Sequence, residues 1–154
     1  MVPSFVRHQP PRTLGRRLRR TGLVDRFVNA LGGQVVLTQA AAGFGKTEIM
    51  AAVYMRLRDR GEAVAWLTLS PSDQPTTLAA AIAATLEIDV DSCPEVLDLL
   101  HQRTEPLFLF LDAGEQIAGR PDVIEWLLTD MPASLRLALA GRLLPQLRVS
   151  PFRL

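Results

Sequence analysis

The sequence predicts an α/β domain built around a mainly parallel sheet. Short apolar runs alternate with segments of helical periodicity along the chain, the pattern of strand–helix–strand units. The run Leu107–Leu111 (LFLFL) is apolar on both faces, as expected for a central parallel strand. A chain of 154 residues, 48% of them apolar, buries one sizeable core. We therefore expect a basic arm over residues 1–21 and one folded domain over 22–154.

Five helices are predicted, over residues 22–31, 46–59, 76–86, 94–103 and 121–129. In the first four, apolar residues recur at three- or four-residue spacing: Leu23, Phe27 and Leu31; Ile49, Val53 and Leu57; Leu78, Ile82 and Leu86; Val96, Leu99 and Leu100. A glycine pair, Gly32-Gly33, ends the first helix, and Pro121 begins the last. In each of these four helices, the spaced apolar residues predict one face that packs on the sheet.

Four apolar runs between these helices are predicted as strands. They are QVVLTQ (34–39), AVAWLTL (63–69), LFLFL (107–111) and LRLALA (135–140). Trp66 lies on the second, where core packing is the expected role of its indole. Strands alternating with helices predict a three-layer α/β/α arrangement.

Positive charge is concentrated at the N-terminus. Residues 1–26 carry seven arginines against Asp25 alone, a net charge of +6, whereas residues 27–154 carry ten basic and fifteen acidic side chains, a net charge of −5. Pro10 and Pro11 favour an extended arm. Because no aromatic residues are interleaved with the arginines, the arm is interpreted as solvated rather than as a nucleic-acid contact.

Composition also indicates the compartment. The single cysteine, Cys93, cannot form an internal disulfide, which suits a reducing environment, and no apolar run in the sequence approaches the length of a membrane span. A cytoplasmic protein without membrane association is expected. His8 and His101 are isolated from any cluster of metal-binding residues, so no histidine metal site is expected.

The stretch AAAGFGKTE (40–48) follows a predicted strand and opens a predicted helix, which is the setting of a phosphate-binding loop. Glycines allow the backbone to turn so that successive N–H groups face an anion, and the helix N-terminus adds partial positive charge. Lys46 is the only lysine in the chain, and a compact ammonium fits between phosphates where a guanidinium does not. The expected phosphate contacts are Ala42, Gly43, Phe44, Gly45, Lys46, Thr47 and Glu48.

Asp112 provides a second element of the same site. It ends the buried strand LFLFLD, where a carboxylate can hold Mg²⁺ opposite the hydroxyl of Thr47. Together the loop and the aspartate predict binding of a nucleoside triphosphate, with ATP or ADP and Mg²⁺ as cofactors and Thr47 and Asp112 as the metal-site residues.

These residues resemble the nucleotide-binding domain of MalT-type regulators, the ATP-dependent LuxR-family transcriptional activators of the STAND class. That family has APAGFGKT where this sequence has AAAGFGKT (40–47), with Ala41 in place of proline. The family's second strand and D-N-D-P-type loop are similar to VAWLTL (64–69) followed by Ser72–Pro75, and its PPR-x-L segment is similar to Pro10–Leu14.

The resemblance implies roles for two further residues and a limit on catalysis. Arg142 occupies the place of a γ-phosphate sensor at the end of the fourth strand. The family has a second acid after the magnesium aspartate, but this sequence has Ala113 there, and Glu115 stands where the family has histidine. Glu115 is therefore a candidate base only if the loop folds back. At most a slow ATPase is expected.

The resemblance also implies strand order 2-3-4-1-5, with the chain ending after the fourth core strand and the sheet incomplete on its C-terminal side. An apolar edge would then be left beside strand 34–39, so self-association or a regulator partner is expected unless residues 143–154 or the arm cover it. Without a helix-turn-helix, direct DNA binding is not expected. The alternatives are a small P-loop kinase, which needs an arginine-bearing lid, and an inert remnant of a longer regulator.

Overall fold

The computed structural model describes residues 7–11, 21–39, 45–90, 92–148 and 152–153. The helices are α1 (Thr21–Leu31), α2 (Lys46–Asp59), α3 (Pro75–Thr85), α4 (Cys93–Gln102) and α5 (Asp122–Thr129), with a 3₁₀ helix at Gly114–Ile117. The strands are β1 (Val35–Gln39), β2 (Ala63–Thr68), β3 (Leu107–Asp112), β4 (Leu135–Gly141) and β5 (Phe152–Arg153). Within the described ranges, no helix has the length and apolar content needed to cross a bilayer.

The predicted α/β class is confirmed, and every predicted helix and strand occurs with bounds shifted by no more than one residue. The sheet has the order β2-β3-β4-β1-β5, and all of its pairings are parallel. β3 lies between β2 and β4, as its two apolar faces predict.

Alternation along the strands sends side chains into two separate cores, one on each face of the sheet. On one face, Leu107, Leu109 and Leu111 of β3 pack with α3, α4 and α5. On the other, Phe110 packs with Trp66 and with α1 and α2. Trp66 is 2% exposed, which confirms its predicted place in the core. The arrangement is a three-layer α/β/α fold.

The fifth strand was not predicted from the sequence. β5 is only two residues long, and it pairs with Val36 and Leu37 of β1 on the side of β1 opposite β4. A two-residue strand carries no readable alternation, and its position depends on the long-range pairing alone. The described part of residues 143–154 therefore covers part of the β1 edge, the first of the two coverings considered above.

Arg7, from the basic arm, packs on the domain and is only partly exposed. Its Nη2 donates to both carboxylate oxygens of Asp73, at 2.7 and 2.6 Å, and its Nε donates to the carbonyl of Thr68 at 3.1 Å. Asp73 is 2% exposed, and its Oδ2 also accepts the N–H of Ser70 at 2.8 Å. A buried carboxylate needs such partners because water cannot solvate it.

The prediction of an extended arm is wrong at Arg7, whose backbone is helical. Burial and the neighbouring Arg7 lower the pKa of His8. Both effects favour the neutral form of the imidazole. The rest of residues 1–21, apart from 7–11 and the first residue of α1, lies outside the described residues.

We predict that Arg7→Ala lowers the free energy of unfolding by about 2–4 kcal/mol, because it leaves the Asp73 carboxylate buried without its counter-ion. Arg56→Ala is the matched control: Arg56 pairs with Asp25 at the surface, where an ion pair contributes at most about 1 kcal/mol. Urea unfolding of both variants measures the difference. Equal losses in the two variants would contradict a desolvated Arg7–Asp73 pair.

Candidate functional site

The carboxyl ends of four parallel strands meet at one edge of the sheet. Thr68 of β2 is in register with Asp112 of β3, and Gln39 of β1 is in register with Gly141 of β4. β4 lies between β3 and β1, so Gly141 separates Asp112, at the end of β3, from the end of β1. In open α/β sheets, ligands bind in the crevice outside this edge.

Helix α2 begins at this edge. Gly45 is its N-cap, with φ 74° and ψ 15°, and among the described residues no side-chain hydrogen bond caps the first turn. This left-handed conformation is one that glycine adopts without strain. Lys46, Thr47 and Glu48 form the first turn, whose backbone N–H groups have no acceptor within the helix. The start of α2 is thus arranged for an anion.

Thr47 and Asp112 meet at the centre of the edge. The Thr47 hydroxyl donates to Asp112 Oδ2 at 2.9 Å across 65 residues of sequence. Asp112 is 8% exposed, and its other oxygen, Oδ1, accepts the N–H of Ala113 at 2.8 Å. The two residues predicted to share a magnesium site are therefore in direct contact.

The chain turns sharply after Asp112. Ala113 has φ 60° and ψ 45°, a left-handed conformation that is unusual for alanine and that aspartate and asparagine adopt more readily. The 3₁₀ helix Gly114–Ile117 follows at once. The turn directs this short helix back over the end of β4.

Close packing holds the 3₁₀ helix against β4. A Cβ at Gly141 would lie 2.9 Å from the backbone nitrogen of Gly114 and 3.0 Å from that of Glu115, which leaves no room for a side chain. Glu115 Oε1 accepts the N–H of Arg142 at 3.0 Å and lies 3.7 Å from Arg142 Nε. The two candidate catalytic residues are thus brought together, with Glu115 18% and Arg142 60% exposed at the side chain.

Several predicted site residues fall outside the described ranges. Ala42, Gly43 and Phe44 belong to the part of the loop that the structure does not describe, so their phosphate contacts remain predictions. Among the described residues, no three or more histidine, cysteine, aspartate or glutamate side chains form a metal-binding group.

Sequence reasoning missed two arginines that hold the loop between β2 and α3. Arg7 binds Asp73 of this loop, and Arg120 donates to the Pro71 carbonyl at 3.1 Å and to Gln74 Oε1 at 3.2 Å. The loop is similar to a D-N-D-P-type segment, but the burial of its aspartate has no local sequence signal. A distant basic partner would have been suggested only by an acidic residue in an apolar stretch with no basic residue near it in sequence.

Solved structures share this fold. The chain is similar to the Aeropyrum pernix ORC1 protein in complex with DNA, with a TM-score of 0.56 and 19% identity over 80% of this chain and 38% of that one. It is also similar to a chain of Drosophila ORC bound to AT-rich DNA and Cdc6, with a TM-score of 0.53 and 12% identity over 78% of this chain and 44% of that one. The shared architecture is a three-layer α/β/α P-loop fold with a parallel sheet.

This likeness extends to part of those proteins. The chain spans less than half the length of either solved chain. No family model and no curated protein matches the sequence. At these identities the similarity establishes the fold, and function has to be argued from the site.

We predict that Gly141→Ala lowers the free energy of unfolding by about 1–3 kcal/mol, because the added methyl group overlaps the backbone of Gly114 and Glu115. Gly119→Ala is the control, since a Cβ there meets no atom within 4 Å. Urea denaturation measures both. A Gly141→Ala variant as stable as the Gly119→Ala variant would mean that the 3₁₀ helix is not fixed against β4.

Proposed function

We propose that this domain binds ATP or ADP with Mg²⁺ and serves as a nucleotide-dependent switch. The single observation that carries the proposal is the hydrogen bond between Thr47 and Asp112. It joins the first turn of α2, which begins within the GKT sequence, to the end of a buried central strand. A surface turn that spells GKT by chance has no reason to meet a buried carboxylate in this way.

The donor set at this point suits magnesium. Mg²⁺ prefers oxygen ligands, keeps several waters and is usually held by one or two protein groups together with phosphate oxygens. The Thr47 hydroxyl and the Asp112 carboxylate are two such groups, 2.9 Å apart. Bound magnesium would neutralise charge on the β- and γ-phosphates.

The phosphates would be held by the start of α2. Gly45 turns the backbone without a side chain, and the N–H groups of the first turn, which have no acceptor within the helix, can donate to phosphate oxygens. Lys46 is the first residue of α2, so its side chain starts from the same helix N-terminus. The residues nearest this point thus supply a cation, backbone donors and a metal-binding hydroxyl.

The site is poorly equipped for hydrolysis. Rapid hydrolysis requires a group that orients the attacking water. In this proposal Asp112 is assigned to magnesium, and Ala113 itself offers only a methyl group. Glu115 is held against Arg142. Binding with slow turnover suits a switch, which needs the nucleotide state to persist.

At a finer level, we assign the switch to a STAND-type regulator similar to the MalT-type LuxR family. The support is the AAAGFGKT loop, the VAWLTL strand with its Ser72–Pro75 loop, and Gly141-Arg142 at the end of β4. In this reading Arg142 contacts the γ-phosphate and distinguishes ATP from ADP. Its exposed side chain begins at the sheet edge between the strand of Asp112 and the strand that leads to the loop.

Calorimetric titration with ATP and ADP, each with and without Mg²⁺, tests the proposal. We expect wild-type protein to bind both nucleotides, and Lys46→Ala to weaken ATP binding by about 2 kcal/mol or more through loss of a charge-assisted contact. Lys46→Arg should fail nearly as badly, because the loop is shaped for a compact charge.

Thr47 variants provide the matched control for magnesium. Thr47→Ser keeps the hydroxyl and should keep the increase in affinity that magnesium gives, whereas Thr47→Val should lose it. If the folded wild-type protein binds neither nucleotide, the proposed function is wrong. Wild-type affinity in Lys46→Arg would overturn the assigned role of the lysine.

We further predict that Ala113→Asp raises single-turnover ATP hydrolysis at least about tenfold, because base positioning typically contributes 10²–10⁴-fold in rate. The left-handed backbone at position 113 accepts aspartate readily, so the fold should tolerate the change. Ala113→Asn fits the same conformation without a base and is the control. Brisk wild-type hydrolysis that the substitution does not increase would place the base elsewhere.

A further inference from the structure

Glu115 contacts Arg142 mainly through the main chain. Its Oε1 lies 3.0 Å from the Arg142 backbone nitrogen, a hydrogen bond, but 3.7 Å from the side-chain Nε, which is beyond one. Among the described residues, no hydrogen bond or ion pair involves the terminal guanidinium nitrogens of Arg142. The carboxylate therefore holds the base of the arginine and leaves its tip available.

The support of Glu115 is rigid on both sides. One residue before its 3₁₀ helix, Ala113 is tied to Asp112 through its N–H. On the other side, the backbone of Gly114 and Glu115 packs directly against Gly141, with no space for a side chain between them. Because Glu115 is supported in this way, it holds the backbone of Arg142 in a fixed position relative to Asp112.

We infer that Glu115 is a positioning residue that sets the preference of this site for ATP over ADP by fixing the backbone of Arg142. This inference rests on the proposed nucleotide site. Glu115 connects Asp112 to Arg142 through three consecutive residues and one hydrogen bond. Without that bond, the backbone of Arg142, in the exposed segment just after β4, is less restrained, and its contact with a γ-phosphate costs more ordering entropy. A diphosphate lacks the γ-phosphate, so its affinity does not depend on this bond.

The test is the ratio of the dissociation constants of Mg-ADP and Mg-ATP, measured by calorimetry on the full chain. Glu115→Ala should lower the preference for ATP about fivefold, the effect of one hydrogen bond. Glu115→Gln should stay within about twofold of wild type, because its amide oxygen accepts the same N–H. Gln116→Ala, an exposed neighbour on the same 3₁₀ helix, should leave the ratio unchanged.

A double-mutant cycle separates positioning from a general loss of structure. Arg142→Ala should lower the ATP preference at least as far as Glu115→Ala, and adding Glu115→Ala to it should lower the ratio no further. A thermal shift without a change in ratio, or a Glu115→Gln variant as impaired as Glu115→Ala, would overturn the inference. So would loss of hydrolysis in Glu115→Gln together with an unchanged ratio in Glu115→Ala, which identifies a general base.

The failure of this inference differs from the failure of the proposed function. Wild-type protein that binds neither nucleotide overturns both. Wild-type protein that binds ATP and ADP, with a ratio that Glu115→Ala does not change, overturns the positioning role alone and leaves the nucleotide site standing.

Discussion

The hydrogen bond between Thr47 and Asp112 depends on the parallel sheet, and every other feature of the site is placed relative to it. A hydroxyl at the start of α2 and a carboxylate at the end of β3 meet only if β1 and β3 run in the same direction with β4 between them. The register of these strands places their carboxyl ends at one edge. Strand order is thus what turns two distant sequence positions into one polar site.

The residues that follow Asp112 contact neighbouring elements on both sides of β3 along this edge of the sheet. Glu115 binds the residue after β4, and Arg120, a few residues later, binds the loop between β2 and α3. Arg7 holds the same loop from its other side through Asp73. One short segment, 112–120, therefore touches α2, the end of β4 and the end of β2. A change at the aspartate has direct physical routes to three neighbouring elements.

The fold was largely predictable because its elements depend on local patterns. The sequence shows the helices as apolar residues every three or four positions, and it shows the strands as apolar runs bounded by glycine or polar residues. The pairing of Thr47 with Asp112 was also predictable, since loop and strand each have a distinctive sequence.

The remaining contacts depend on geometry that no local pattern records. Nothing in the residues around Asp73 specifies an arginine 66 positions away, and the left-handed turn at Ala113 contradicts the preference of alanine. The contact of Glu115 with Arg142 was equally hidden, because its partner is a backbone N–H, which any residue except proline would supply at position 142. Two-residue β5 depends wholly on the strand it joins.

The position of β5 has a mechanical consequence for the domain. β5 adds to the strand that runs directly into the phosphate loop, and its ladder covers only Val36 and Leu37. Since a ladder of two residue pairs has little to hold it, β5 should detach before the rest of the sheet when the domain is warmed or pulled. The shortest strand of the sheet is therefore the one expected to separate first, while β1 stays paired with β4 along all five of its residues.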